Sequence, residues 1–410
     1  MEKLALLGGE KAKTVPYGTG KRFGKEELRQ LEEALEQNTL FYWSGQKTRQ
    51  FREKFAAMYG MPYCTTASSG TAAIHTALGT VGVGPGDEVM TSPITDMGSV
   101  IGIVLQNAIP VFADLDAHTY NLDPKSVAAR ITDKTKAIVV VHLAGNPADM
   151  DAINAIATPR GIKVIEDCAQ SYLCRYKGRL AGTLGDIGCF SLNDFKHISA
   201  GDGGMCLVHD EATYQRATRF ADKNYNRFSG NMRDIPFIAP NYRINELTSA
   251  VALAQLDKLE AICAKRTAYG DALTAGLQGL PGITPHKVEA GNVSSYWFYM
   301  LRIDEAKAGV SRDRFAEALA AEGVAAGAGY IPACVYEYDM FKNLSGFENT
   351  RAPFDSPYYG KTIDYPKGLC PVAERILETA VRVTVNEFFT PQDLEETIAG
   401  IRKVSAHFAP

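Results

Sequence analysis

A lysine and an aspartate stand out in the middle of the sequence, Lys196 in the polar, glycine-rich stretch FSLNDFKHISAGDGG and Asp167 in VIEDCAQS. A lysine amine can form a Schiff base with an aldehyde, and a carboxylate can keep a heterocyclic nitrogen protonated so that the ring accepts electrons from a carbanion. Pyridoxal phosphate enzymes need both groups. Because most lysines and aspartates are solvated surface charges, the pair indicates this chemistry only if the fold brings both to one site.

The segments before the two residues indicate how the fold does so. Asp167 follows the apolar run Ile162 to Ile165, interrupted by Lys163, which is typical of a buried parallel strand. Open α/β sheets bind ligands at the carboxyl ends of such strands. Lys196 follows a second strand-like run, Ile187 to Leu192, and precedes glycines that allow a tight turn around a bound group. We therefore expect both residues at the ligand-binding edge of a sheet.

A phosphate site is predicted at Ser68 to Thr71, between the strand-like run Tyr63 to Thr66 and an alanine-rich helix. Free N–H groups and the positive end of the helix dipole favour an anion at such a position. Taken alone, a serine at a helix start is more often only an N-cap. Together with the lysine and the aspartate, the segment favours phosphate binding.

Strand-like and helical patterns alternate along the chain, which predicts βαβ units and an α/β fold with a mainly parallel central sheet. The predicted strands are 63–66, 88–91, 109–113, 137–142, 163–166, 187–191 and 205–208. Helices are predicted at 26–37, 47–59 and 246–264, the last with its apolar residues roughly on one stripe.

Two domains are expected from the length of 410 residues. We place a large domain at residues 1–264 and a smaller α+β domain at 265–410, with a strand at 295–303 and a helix at 312–321. Residues 341–366 are rich in Asn, Ser, Gly, Pro and Tyr, which predicts an irregular surface excursion or lid within the small domain.

Composition excludes several classes of protein. A net charge of −4 without long charged runs provides no basic surface that would bind nucleic acid or an acidic membrane. No run approaches the ~18 apolar residues that a membrane span requires. The stripe Trp297, Phe298 and Tyr299 is therefore interpreted as core packing rather than base stacking. The eight cysteines and seven histidines show no metal-ligand spacing, so no metal is expected. Reduced, mostly buried thiols and the lack of a signal peptide predict a soluble cytoplasmic protein.

Several blocks, in order, resemble the DegT/DnrJ/EryC1/StrS aminotransferases over nearly the whole chain. The blocks are LALLGGEK (4–11), SSGTAAIHTAL (68–78), GVGPGDEV (82–89), PVFADLD (110–116), VHLAGNPADMDAI (141–153), EDCAQS (166–171), GDIGCFSLNDFKHISAGDGGM (185–205) and NYRINELTSAVALAQL (241–256). The resemblance implies the aspartate aminotransferase type of fold and pyridoxal phosphate, alternating with pyridoxamine phosphate, as the cofactor.

The same resemblance implies roles for individual residues. Lys196 would carry the cofactor and Asp167 would hold its ring nitrogen. The cofactor phosphate would be held by Ser69, Gly70, Thr71 and Ser191, and by Asn241 of a neighbouring subunit, so that two chains of a homodimer share each site. Gln170, three residues after Asp167, would contact the ring hydroxyl; its alternative is a polar residue at a helix start.

Two further residues have open alternatives. His142 is either near the substrate or a buried strand-end histidine whose ring nitrogens are satisfied locally. Arg243 is either a clamp for the carboxylate of the amino donor, because guanidinium matches a carboxylate bidentately, or a partner in an interface salt bridge.

The sequence departs from the family at residues 92–99, SPITDMGS, where relatives have an aromatic residue that stacks on the pyridine ring. Here Asp96 or Met97 would cover the ring. A carboxylate would alter ring electronics or contact substrate hydroxyls, whereas a methionine is a soft, polarisable cover.

The implied activity is transfer of an amino group from glutamate or glutamine to a keto-sugar or keto-cyclitol, in amino-sugar, aminocyclitol or antibiotic biosynthesis. A nucleotide-linked keto-sugar is the alternative acceptor. Relatives without the lysine are dehydratases, and a sensor of the same fold is a further alternative. Retention of Lys196 and Asp167 disfavours both, because a sensor needs no electron sink; a purified protein with visible cofactor absorbance that glutamate bleaches would support transamination.

Overall fold

The computed structural model describes residues 2–409, which build a seven-stranded sheet, a four-stranded sheet and a two-stranded ribbon. The strands are β1 (Tyr63–Ala67), β2 (Glu88–Thr91), β3 (Ile109–Phe112), β4 (Thr135–Val141), β5 (Lys163–Asp167), β6 (Arg175–Tyr176), β7 (Arg179–Leu180), β8 (Ile187–Ser191), β9 (Gly204–Val208), β10 (Ile283–Thr284), β11 (Tyr299–Ile303), β12 (Ala326–Ala328) and β13 (Ala380–Val383). All seven strands predicted for the central sheet are present in it, which confirms the α/β fold.

The helices cover both ends of the chain and alternate with the strands. They are α1 (Lys25–Glu36), α2 (Lys47–Tyr59), α3 (Gly70–Thr80), α4 (Gly98–Leu105), α5 (Pro124–Arg130), α6 (Met150–Ala157), α7 (Glu211–Ala221), α8 (Glu246–Gly276), α9 (Glu305–Ala308), α10 (Arg312–Ala321), α11 (Asp339–Lys342), α12 (Pro371–Thr379) and α13 (Pro391–Phe408). Several begin at a side chain that accepts an N–H of the first turn, namely Ser69, Asp210, Asn245, Ser311 and Thr390.

The large sheet has the order β1-β9-β8-β5-β4-β2-β3. Strand β9 is antiparallel to β1 and β8, and the other neighbouring pairs are parallel. Strand β5 lies at the centre with β4 and β8 beside it, so that Asp167 pairs with Val141 on one side and Cys189 on the other. This register brings the carboxyl ends of the three strands to one edge, as the sequence predicted for Asp167 and Lys196.

The four-stranded sheet is antiparallel, in the order β10-β11-β13-β12. Its buried Leu301, Val381 and Val383 pack in one core with Phe315 of α10 and Val404 of α13. The observed strand β11 begins at Tyr299, four residues after the predicted start, whereas α10 has the predicted bounds 312–321.

Helix α8 is longer than predicted and ends at Gly276 rather than near Ala264. The predicted domain boundary therefore lies within a continuous helix, and a division of the chain into two domains remains a proposal. The apolar stripe of this helix predicts a surface for a partner subunit. Instead Leu253, Leu256 and Leu259 are buried in a core that includes Phe51 and Phe55 of α2.

Residues 341–366 are irregular and many of them are exposed, but four aromatic side chains tie the segment to the large sheet. Phe341, Phe354, Tyr359 and Tyr365 are buried against the core of the large sheet. The Tyr365 hydroxyl donates to the Pro110 carbonyl of β3 at 2.7 Å, and Tyr359 donates to the buried Glu88 of β2 at 2.9 Å. The aromatic side chains of this segment thus cover the β3 edge of the sheet, because burying them there removes apolar surface from water.

All eight cysteines are buried and free, as predicted. None of the helices within residues 2–409 combines the length and the apolar character needed to cross a membrane.

Candidate active site

A cavity of about 340 Å³ lies where β5 and β8 end and α3 begins, a volume in the range of small-molecule sites. Most of the site residues predicted from sequence line it, namely Ser69, Gly70, Thr71, Asp96, Asp167, Gln170, Ser191 and Lys196. Met97, His142, Asn241 and Arg243 are not among the lining residues. The lining also contains polar residues that sequence reasoning missed, including Thr95, Ser99, Asn193 and Asp202.

Asp167 is the last residue of β5 and is 5% exposed. Its Oδ2 accepts from the Ser99 hydroxyl at 2.6 Å, and its Oδ1 accepts from the Ala169 N–H at 3.1 Å. Burial raises the pKa of Asp167 despite these hydrogen bonds and the charge of Lys196. The site therefore holds a desolvated carboxylate that a protonated ring nitrogen would stabilise.

Lys196 lies in the loop after β8, with its Nζ 4.1 Å from the centroid of the Trp297 ring. Within residues 2–409 it forms no ion pair with a carboxylate, although Asp167 and Asp96 are near enough to act on its charge. Burial lowers the pKa of Lys196, which increases the fraction of neutral amine. A neutral amine is the form that attacks an aldehyde.

The predicted phosphate site lies at the start of α3. Ser69 is its N-cap, with Oγ accepting from the Ala72 N–H at 3.0 Å, so the capping alternative and the phosphate site describe the same turn. A Cβ on Gly70 would lie 2.6 Å from the Ser191 Cβ, so only glycine allows this approach of α3 to β8. The first N–H groups of the helix and the Thr71 and Ser191 hydroxyls supply donors for an anion.

Gln170 is held at both ends of its amide. Its Oε1 accepts from the Ala144 N–H at 2.8 Å, and its Nε2 donates to the Tyr330 hydroxyl at 2.9 Å. The second Nε2–H is left to bind a group in the cavity. The predicted helix-start alternative does not apply, because residues 169–170 lie in a turn and no helix follows them directly.

Of the two candidates for covering the pyridine ring, Asp96 lines the cavity. Its Oδ1 accepts from the Gly98 N–H at 2.8 Å at the start of α4, and the side chain is exposed. This turn points Met97 away, so that it packs against the core of the large sheet. A methionine cover is thus not what the fold provides.

His142 is fully buried and its two nitrogens have partners within the protein. Nδ1 accepts from the Ala148 N–H at 3.0 Å, so the ring proton lies on Nε2, which donates to Glu166 at 2.9 Å. This geometry favours the locally satisfied histidine over a substrate contact. His142, Glu166 and Cys168 have ligand atoms within 4.8 Å of one another, but binding a metal there would break these hydrogen bonds.

Arg243 and Asn241 lie outside the cavity. Arg243 Nη1 is 3.0 Å from Oδ1 of the buried Asp222, which also accepts from the Tyr42 hydroxyl at 2.8 Å. The salt-bridge alternative thus fits Arg243, but its partner is in the same chain rather than across an interface. Asn241 is exposed on the surface, and its approach to a neighbouring site remains a proposal.

Trp297 and Tyr330 are site residues that sequence reasoning missed. The core-packing interpretation is confirmed for Phe298 and Tyr299, which are buried. Trp297 also packs against the core of the large sheet, but one face of its ring lies under the amine of Lys196, which core packing alone does not predict. Both missed residues come from the part of the chain around the small sheet. No local pattern could identify them, because their contacts span more than a hundred positions.

The residues present fit pyridoxal phosphate. The ring nitrogen requires a carboxylate, and Asp167 is buried and forms no ion pair within residues 2–409. The aldehyde requires a neutral amine, and the pKa of Lys196 is lowered. The phosphate requires hydrogen-bond donors, and the start of α3 leaves N–H groups free. These three groups surround one cavity.

The sequence profile of the DegT/DnrJ/EryC1/StrS aminotransferase family matches residues 21–402. A Micromonospora echinospora protein named putative L-glutamine:3-amino-2,3-dideoxy-scyllo-inosose aminotransferase is 34% identical, covering 98% of this chain and 97% of its own. Spore coat polysaccharide biosynthesis protein SpsC of Bacillus subtilis is 34% identical over 84% of this chain and 90% of its own.

The X-ray structure of an aminotransferase from Psychrobacter cryohalolentis superposes with a TM-score of 0.84 at 29% identity, covering 96% of this chain and 100% of the other. The chain thus belongs to the DegT/DnrJ/EryC1/StrS aminotransferase family and is a pyridoxal-phosphate-dependent aminotransferase.

Proposed function

We propose that this aminotransferase moves an amino group from glutamine or glutamate to the keto group of a cyclitol or sugar that carries no nucleotide. The charge of the cavity supports the proposal. Asp96, Asp167 and Asp202 line it, Lys196 is the one cation among its lining residues in the described chain, and no arginine is among them. The diphosphate of a nucleotide sugar would meet these carboxylates without a counter-charge, whereas hydroxyl or amino groups would find acceptors.

The name of one relative supports the acceptor class. The Micromonospora protein is named for an amino-bearing inosose and for L-glutamine as donor, and it matches this chain almost end to end. A cationic amino group on an acceptor would be favoured by the same carboxylates that disfavour a diphosphate.

Each residue has a defined task in this proposal. When bound, pyridoxal phosphate supplies an aldehyde and an electron-accepting ring. Lys196 would hold the cofactor through its Nζ and, once the donor amine has displaced it, would move a proton to and from the donor α-carbon as general base and acid. Asp167 keeps a proton on the ring nitrogen, and Gln170 orients the ring through its free Nε2–H.

The phosphate would be bound by the start of α3 and by the Ser191 hydroxyl, which here accepts from the Asn193 N–H at 3.2 Å. Asp96, which lines the cavity, would accept hydrogen bonds from the acceptor's hydroxyl or amino groups rather than stack on the ring.

We also infer that the working unit is a homodimer in which Asn241 reaches the neighbour's phosphate site. Asn241 is exposed, and the preceding Ile238 is 92% exposed, with Ile235 and Met232 also exposed. Exposed apolar side chains beside a polar residue are typical of a protein interface. This segment, rather than α8, is the surface that we expect a second chain to cover.

The acceptor assignment is tested by supplying glutamine or glutamate with a panel of keto-cyclitols, keto-sugars and nucleotide-linked keto-sugars, and detecting products by mass. Amination of a free keto-cyclitol or keto-sugar is the expected result. Efficient amination only of nucleotide-linked substrates would contradict the proposal and favour the alternative acceptor.

The shared site is tested by mixing Lys196→Ala chains with Asn241→Ala chains under conditions of demonstrated chain exchange. Random mixing makes half of the dimers mixed, each with one complete site, so about a quarter of the wild-type activity should return. Asn241→Ala alone must be strongly impaired. A fully active monomer in light scattering, or no recovery despite exchange, would contradict the shared site.

A further inference from the structure

A buried carboxylate outside the cavity joins two arginines. Glu387 is 5% exposed, and its Oε2 accepts from Arg266 of α8 through Nε at 3.0 Å and Nη2 at 2.6 Å. Its Oε1 lies 3.6 Å from Nε of Arg22, in the segment before α1. One carboxylate thus holds two guanidinium groups from distant parts of the chain.

Arg22 binds the backbone of the lysine loop with the rest of its fork. Its Nη2 donates to the carbonyls of Lys196 and His197, the latter at 2.9 Å, and its Nη1 donates to the carbonyl of Asp194. Arg22 therefore fixes the carbonyls on both sides of the Lys196 side chain.

Arg266 binds the segment that carries Trp297. Its Nη1 donates to the carbonyls of Trp297 at 3.2 Å and Val385 at 3.0 Å. The Trp297 indole in turn donates to the Phe195 carbonyl at 2.7 Å, and its ring lies 4.1 Å from the Lys196 amine. The second arginine thus fixes the aromatic surface on which the amine lies.

The two held segments also contact each other directly. His197 Nε2 donates to the carbonyl of Ser295, two residues before Trp297, at 2.9 Å. With this bond and the indole bond, the lysine loop and the tryptophan segment form one unit, and Glu387 is the group that both of its arginines share.

We propose that Glu387 is a positioning residue for Lys196: by binding Arg22 and Arg266 together, it holds the lysine loop and Trp297 in the register that places the Lys196 amine in the cavity. The proposal rests on the proposed function, in which Lys196 carries the cofactor. Without the carboxylate charge, the two guanidinium groups would repel each other, and each would hold its carbonyls less tightly. Catalytic groups tolerate displacements of only about 0.5 Å before rates fall.

The test compares Glu387→Gln with Asp393→Asn after removal of the cofactor from the purified enzymes. Asp393 is a matched control, because it is a buried carboxylate bound to Lys13 at 2.7 Å and has no contact with the lysine loop. Pyridoxal phosphate is added, and the growth of the visible absorbance of lysine-bound cofactor is followed, together with kcat and the KM for the donor.

We expect Glu387→Gln to slow the absorbance change about tenfold and to lower kcat about tenfold. The KM for the donor should stay within about twofold of the wild type, because a displaced amine reacts more slowly without changing how the donor binds. Asp393→Asn should match the wild type in the rate of the absorbance change and in kcat. This should hold even if its unfolding midpoint falls as much as that of Glu387→Gln. Wild-type rates in Glu387→Gln, or equal slowing in both variants, would overturn the proposal.

If Glu387→Gln does not fold, Arg22→Gln replaces it, because Arg22 is only half-buried in the segment before α1. Wild-type rates in Arg22→Gln would overturn the proposal equally. Failure of the underlying function gives a different result. If Lys196→Ala also acquired the lysine-bound absorbance, the role of Lys196 would be wrong, whereas a colourless Lys196→Ala with a normal Glu387→Gln would refute the positioning role alone.

Discussion

Two neighbouring carboxylates on β5 face opposite environments, although both are buried. The oxygens of Glu166 accept from His142 and from the N–H groups of Gly182, Leu184 and Gly185. Asp167 accepts from the Ser99 hydroxyl and the Ala169 N–H, and faces the cavity. Burial alone would raise the pKa of both, but the donors around Glu166 lower its pKa overall, whereas that of Asp167 stays raised.

The difference shows how one strand supports both structure and chemistry. Glu166 has all the partners it needs, so it fixes the turn at 182–185 and the strand end at His142. Asp167 forms no ion pair within residues 2–409, so a protonated group that enters the cavity would stabilise its charged form. Burial therefore does not separate a structural carboxylate from a functional one; the number of donors does.

The largest effect should come from removing Lys196, the one cation that lines the cavity within residues 2–409. Lys196→Ala should lower turnover by about 10⁴-fold or more, because no other amine is placed to hold the cofactor and move the proton. Borohydride reduction and peptide mapping of the wild type should label Lys196. The control is Lys163→Ala. Lys163 is an exposed lysine at the start of β5, paired with Asp186 at 2.8 Å, and its loss should leave turnover normal. Label on another lysine would end the assignment.

The two carboxylates can be separated directly by Asp167→Asn and Glu166→Gln. We expect Asp167→Asn to lower kcat by about 10²-fold or more with little loss of stability, because the ring nitrogen loses its counter-charge while a poorly compensated buried charge is removed. Glu166→Gln should instead lower the free energy of unfolding by about 3 kcal/mol, because an amide nitrogen would face N–H donors. Denaturant unfolding and steady-state kinetics measure both. Near-normal turnover of Asp167→Asn would move the ring-nitrogen role elsewhere.

Asp96 extends the comparison to a carboxylate that is exposed in the cavity. Asp96→Asn keeps the oxygen that caps the Gly98 N–H but removes the charge. We expect kcat/KM for the acceptor to fall about tenfold, as for loss of one charged hydrogen bond, while the reaction with the donor stays within about twofold. Asp133→Asn, at an exposed carboxylate paired with Lys361, is the control. An equal loss for donor and acceptor would contradict the acceptor role.

The smallest effect concerns the pH dependence of stability in the cofactor-free protein. The pKa of Asp167 is raised on folding, so its favourable contribution is complete below its unfolded pKa, about 3.9, and is lost as the pH rises through the folded pKa. The pKa of Glu166 is lowered, so its contribution is present above about 4.3 and is lost as the pH falls through the folded pKa.

Relative to the wild type, Asp167→Asn should therefore become more stable as the pH rises from about 4 through the raised folded pKa of Asp167. Glu166→Gln should become less stable as the pH rises through the lowered folded pKa of Glu166 to about 4.3, and should change little above that. Each change amounts to about 1.4 kcal/mol per unit of pKa difference. Urea unfolding at several pH values measures it. If the free energy of unfolding of both variants changed with pH in the same direction relative to the wild type, the environments of Glu166 and Asp167 would not differ as their hydrogen bonds indicate.

The sequence was sufficient for features that depend on residues near one another in the chain. The seven strands of the large sheet were predicted to within about two residues, because alternating apolar runs and turns are local patterns. Ser69 to Thr71, Asp167 and Lys196 were found because each follows such a strand and the carboxyl ends of parallel strands meet at one edge. The extent of α8 and the buried aromatic side chains of 341–366 were missed, because packing against distant elements decides them.

By itself, the sequence determined the α/β fold and which lysine, aspartate and helix start are brought to the cavity. Only the tertiary structure decided what surrounds them. The Ser99 hydroxyl on Asp167, the Tyr330 hydroxyl beside Gln170 and the Trp297 ring under Lys196 come from residues 68, 160 and about a hundred positions away. Local backbone preferences place a side chain at the end of its strand, but its partners depend on the packing of whole sheets, whose free energy is set by the apolar surface they bury together.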